Sequence, residues 1–174
     1  MDMQGTLETI AQVGVTLAGF AGIVGALAGD KLRPAHPEVW LPFWAMIASG
    51  VGLVFGALAP QILDAFGFRE HVVWSASSAF VFLLTGGNLL FFLPRILRAS
   101  RDGRFRRIPA IAHPLDFTCF VVMATQLANA LGIGFSQSAA GLLLGLYLLL
   151  FVCSMNFAYL LYVIGRAPDD RTGS

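Results

Sequence analysis

Charge is scarce in this chain. Charged side chains make up 12% of its 174 residues and apolar ones 57%. Soluble domains are usually about 25% charged, so the shortage excludes an ordinary soluble domain before any segment is inspected. A mean hydropathy of +0.75 agrees. Cysteine and histidine are scarce too. Cys119 and Cys153 fall in apolar segments, without the spacing of a zinc site or a thioredoxin-like redox pair. They read as small apolar fillers, level with each other in the inner leaflet. His36, His71 and His113 lie in three different connections. No Gly-rich phosphate loop follows a strand and no His–Glu metal motif occurs, so no cofactor and no metal are expected. Convincing internal repeats are lacking, as is the basic start of a removable signal peptide.

What the chain does have is long apolar runs. Crossing the ~30 Å hydrocarbon core takes about 20 apolar residues in a helix, and five runs qualify: 7–29, 40–63, 72–93, 115–133 and 139–164. The last two flank the short turn GFSQS. Joined as one helix they would reach roughly 75 Å, more than twice the membrane core, so a tight hairpin is required. The expected fold class is all-α, a polytopic bundle of five transmembrane helices forming one domain over 1–165, with 166–174 as a cytoplasmic tail. Pro60 is expected to kink or loosen the end of the second helix, with Gln61 satisfying backbone groups freed nearby. Folding the second and third helices about Gly67 places Gly86 level with Ser49 and Gly50, where a close crossing is expected.

The first run, LETIAQVGVTLAGFAGIVGALAG, is the expected centre of the bundle. Ala11, Gly14, Ala18, Gly22, Gly25 and Gly29 recur every three or four residues, which makes one stripe along a helix. Small side chains let membrane helices approach closely, so Gly14, Ala18, Gly22 and Gly25 are the candidate packing residues, within the chain or between copies. A second line, Glu8, Gln12, Thr16, Gly19 and Ile23, runs beside the first. One reading leaves the helix end in the wet interface, with Thr16 bonding its own backbone. The other makes Glu8, Gln12, Thr16 and Gly19 the wall of a pore with an acid at its mouth.

The eleven basic residues are distributed unevenly. With five spans, Lys31, Arg33, Arg95, Arg98, Arg101, Arg104, Arg106, Arg107, Arg166 and Arg171 fall on one side and Arg69 alone on the other. That bias puts the C-terminus in the cytoplasm and the N-terminus outside. The basic connection PRILRASRDGRFRR sets topology, and its Arg95, Arg98, Arg101, Arg104, Arg106 and Arg107 are candidates for contact with anionic lipid headgroups or a protein partner. Phe105 is its only aromatic, too little stacking surface for nucleic acid, which is not expected as a partner.

Polar residues inside the spans are few. Measured from the hairpin, Gln126 and Tyr147 stand at similar depth near the middle, with Asn129 a turn further out. They read as glue between helices, or as a patch that contacts an ion or solute. Catalysis finds little support: Gly134-Phe135-Ser136 has the Gly-x-Ser pattern of intramembrane serine proteases and His71 lies on the same side, but Ser136 falls in a turn.

The run AQVGVTLAGFAGIVGAL, followed by a basic turn and later FGALAPQIL, resembles small multipass bacterial membrane proteins of uncharacterised function. That resemblance covers roughly Leu7 to Leu63 and implies a bacterial inner-membrane home; it carries no activity and no site residues. Two functions from different classes follow from the residues. One is a homo-oligomeric ion channel or small-solute transporter lined by the first helix. The other is a non-transporting membrane anchor whose basic cytoplasmic loop binds anionic lipid or a protein.

Overall fold

The computed structural model describes residues 3–29, 37–101 and 112–166. Among these residues there are five helices and no strand: α1 (Met3–Ala28), α2 (Pro37–Ala65), α3 (Glu70–Arg101), α4 (Ala112–Ala130) and α5 (Ala139–Arg166). α1, α2, α3 and α5 are long and apolar enough to cross a membrane. The shorter apolar stretch of α4, Phe117–Ala130, falls below that length among the described residues.

Glycines end two of the helices where the chain reverses. Gly67 and Gly132 adopt φ of +75° and +73°, a region a side chain rarely enters. At each, the glycine N–H and the next N–H donate back into the last turn: Gly67 to Asp64 and Phe68 to Leu63, Gly132 to Asn129 and Ile133 to Ala128. These paired bonds satisfy carbonyls that a helix end otherwise leaves open. They bring the α2–α3 turn and the α4–α5 hairpin to the same end of the bundle, where the Ser75 hydroxyl donates to the Ala130 carbonyl at 2.7 Å.

The centre belongs to α2 and α5, not to α1. α5 packs against all four other helices, α2 against α1, α3 and α5, and α1 only against α2 and α5. In the most apolar stretch of α2, 56% of the residues are buried, against 22% in those of α1 and α5, so α5 owes its central place to the number of helices it touches. The reason is visible at Gly56 of α2, where an added β-carbon would come within 2.9 Å of Val81 on α3 and 3.0 Å of Leu146 on α5. That three-helix junction leaves α1 on the flank. Fully buried Met46, Leu53, Ala57, Val81, Val122, Leu142, Leu146 and Leu160 fill the core.

Three local expectations change. α2 includes Pro60 and runs to Ala65, but the Gln61 side-chain nitrogen is buried with no partner instead of capping freed carbonyls. A β-carbon on Gly86 would lie 3.3 Å from Met123 of α4, whereas Gly50 of α2 is closed off by Gly14 and Ala18 of α1. α3 runs on through Pro94 to Arg101, so Arg95, Arg98 and Arg101 belong to a helix end and not to a connection. Arg104, Arg106 and Arg107 lie outside the described residues.

Candidate functional site

Two amides on α4 are, with Ser77 and Ser78 of α3, the fully buried polar side chains among the described residues. Gln126 and Asn129 are both fully buried, three residues apart and hence on one face. Each sits where α5 has no side chain: a β-carbon on Gly145 would collide with the Gln126 amide, and one on Gly141 with that of Asn129. Glycines four residues apart thus make two seats for amides three apart.

Asn129 uses all of its seat. Its Oδ1 accepts the Ser138 N–H at 3.0 Å, while its Nδ2 donates to the Ser138 carbonyl at 3.0 Å and to Ser78 Oγ on α3 at 2.7 Å. The side chain therefore acts as a short strand segment, pairing both backbone groups of the residue before α5. Gln126 donates from Nε2 to the Gly141 carbonyl at 2.8 Å, and its Oε1 is buried without a partner. Buried polar bonds between membrane helices contribute about 0.6 kcal/mol each, so the cluster supplies register more than stability.

Both amides lie close to the hairpin. Gln126 is four residues from the end of α4 and its acceptor Gly141 is the third residue of α5. Tyr147 does not join them. It is 47% exposed on the outward side of α5.

Above the amides opens a cleft of about 550 Å³ lined by Glu70, His71 and Trp74 of α3 and by residues 136–140 of the hairpin and α5. The Trp74 indole N–H donates to the Glu70 carboxylate at 3.4 Å. Ser136 and Gln137 hold φ of +51° and +53°, uncommon for residues with side chains. His71 and Ser136 thus line one cleft. Among the described residues no three His, Cys, Asp or Glu side chains gather to hold a metal ion.

Comparison with protein-family models, with curated proteins and with solved structures returns no match.

On α1, the polar line faces outward: Glu8, Gln12, Thr16 and Gly19 are all exposed. The Gln4 amide donates to the Glu8 carboxylate at 3.1 Å, and the Thr16 hydroxyl to the Gln12 carbonyl at 2.8 Å. The inward face is instead Leu7, Ile10, Gly14, Leu17, Ala21 and Val24. Gly14 is its close-approach point, since a β-carbon there would lie 3.0 Å from the Gly50 carbonyl oxygen. Ala18 packs beside Gly50, and Gly25 is half-buried. Gly22 is exposed with open space around it.

At the other end of the bundle, Arg95, Arg98 and Arg101 are exposed on the last turns of α3. Arg95 lies over the Phe91 ring, 3.5 Å from its centroid, and also bonds the Phe91 carbonyl. Cys119 is half-buried, and the buried Cys153 thiol donates to the Met46 carbonyl at 3.6 Å. Sequence reasoning missed Ser78, Ser138, Gly141 and Gly145. Their one signal is the matched spacing of amides and glycines across the hairpin.

Proposed function

We propose that this chain is a multipass protein of the bacterial cytoplasmic membrane, with five spans and its N-terminus outside, that assembles with copies of itself through the outward face of α1. Ions or small solutes then pass along Glu8, Gln12, Thr16 and Gly19 between copies. The observation that carries this reading is that all four are exposed on the flank of the bundle, on a helix apolar enough to cross a membrane. Polar and ionisable side chains on such helices face a neighbouring helix or water in preference to lipid. The open ground around Gly19 and Gly22 suits close approach of a second helix.

Ion flux through the purified protein in liposomes tests it. Parent flux whose selectivity changes in Glu8→Gln supports a path with its mouth at α1; a folded, inserted parent with no flux across salts and voltages removes the reading. A second reading, an anchor without transport, draws support from the exposed basic end of α3. It gains if the parent is silent and anionic lipid or a protein is held through Arg95, Arg98 and Arg101, with Arg104, Arg106 and Arg107 beyond them.

A further inference from the structure

Four side-chain atoms among the described residues are buried without a hydrogen-bond partner: Gln61 Nε2, Ser77 Oγ, Thr85 Oγ1 and Gln126 Oε1. Two of them belong to one line. On α3, Ser78 and Thr85 are seven residues apart, two turns on one face, and both are buried, at 0% and 3% exposed. On α4, Asn129 meets Ser78, and Met123 meets Gly86, the neighbour of Thr85. These two contacts fix the register of the antiparallel pair. They put Gln126, whose amide lies against Gly141 and Gly145 of α5, at a level between Ser78 and Thr85, so uncharged hydrogen-bonding groups of α3 and α4 are spread over about 10 Å of depth.

The top of this line is open. Ser138 both lines the cleft and exchanges hydrogen bonds with Asn129. A buried oxygen without a donor carries a desolvation cost that an ordered water removes. Lipid can supply no water from the sides, which leaves the cleft as the source. Every group below Ser138 on the line is a neutral amide or hydroxyl, so it matches a small uncharged hydrogen-bonding molecule and offers an ion no countercharge.

The geometry points to a water-binding vestibule inside a single chain, running from the cleft at Ser138 past Asn129 and Gln126 to Thr85. Water donates to Gln126 Oε1 and bonds Thr85 Oγ1. This site is separate from the α1 face and stands or falls without it.

Thiol reactivity tests the vestibule, because a thiosulfonate reacts with the thiolate, which forms only where water reaches. In a Cys119→Ala, Cys153→Ala background in liposomes, Ser78→Cys and Thr85→Cys are treated with methyl methanethiosulfonate, a small neutral reagent. Two α3 variants serve as references: Val81→Cys in the dry core and Leu83→Cys, 67% exposed on the outer surface of the bundle. The expected result is modification at both test positions at least about tenfold faster than at either reference. The unaltered chain gives a second readout by hydroxyl-radical footprinting. With the protein in liposomes, where lipid shields the outer side of the partly buried Met123, this residue one turn from Gln126 is oxidised while fully buried Met46 is protected. Rates at Ser78→Cys and Thr85→Cys equal to the references, or equal protection of Met123 and Met46, overturn the proposal.

Discussion

The side-chain amide of Gln126 occupies the space that a β-carbon on Gly145 would need. α4 and α5 approach closely because one helix gives up a side chain where the other inserts one. Overpacking a tight core typically costs about 1–3 kcal/mol. Gly145→Ala therefore lowers the thermal midpoint in detergent. Gln126→Ala in the same chain recovers part of the loss, because the colliding amide is gone. Equal midpoints for the parent and Gly145→Ala would contradict the close contact.

Asn129 ties the hairpin through Ser138 and the hairpin to α3 through Ser78. Asn129→Leu leaves the Ser138 N–H and carbonyl without their partner in a part-buried place, at a cost of about 1–3 kcal/mol for an unsatisfied group. The expected outcome is faster proteolytic nicking within 131–138, with the α2–α3 turn unaffected. Unchanged nicking would mean that the Gly132 turn holds the hairpin without Asn129.

How much of this was legible beforehand depends on what each feature needs. Run lengths, the Gly67 turn and the GFSQS turn mark the helices to within a few residues, because apolar length and chain reversal are local properties. The exception was α3, where helical backbone continues past Pro94 and the arginines begin only after it. Spacing grouped Glu8, Gln12, Thr16 and Gly19 on one face of α1, but not which way that face turns. Its rotation is set by Gly14 seating on Gly50, a contact between helices that no local pattern encodes. The same holds for the amides: depth along the hairpin was countable, whereas their seats on Gly141 and Gly145 required the rotation of α5. Tyr147 shows the limit, near in count yet turned outward.

Gly14 and Gly22 separate packing within the chain from packing between chains. A leucine at Gly14 meets the Gly50 carbonyl and Leu53, whereas one at Gly22 meets open space. Gly14→Leu is expected to destabilise the fold of the single chain, seen as a lower midpoint by circular dichroism, again by about 1–3 kcal/mol. Gly22→Leu keeps the parent midpoint of the dissociated chain and weakens association, measured by mass photometry in nanodiscs or by crosslinking in liposomes. Parent-like assembly by Gly22→Leu would remove Gly22 from the proposed contact between copies.

The basic end of α3 gives the last prediction. Arg95, Arg98 and Arg101 recur every three residues at the exposed end of α3, and each basic group near an anionic surface contributes about 1 kcal/mol. Arg95 also stacks on Phe91, which holds its guanidinium beside the helix and lowers the ordering needed to bind a phosphate. Replacing Arg98 and Arg101 by Gln is therefore expected to reduce the anionic phospholipid that copurifies with the protein, read by native mass spectrometry, with the remaining loss falling to Arg95→Gln. Raising salt has the same direction for groups in water, because their attraction is screened over about 8 Å at physiological ionic strength. If the triple variant retains the parent's anionic lipid, the arginines do not hold headgroups, and the charge asymmetry is left with the task of orienting the chain.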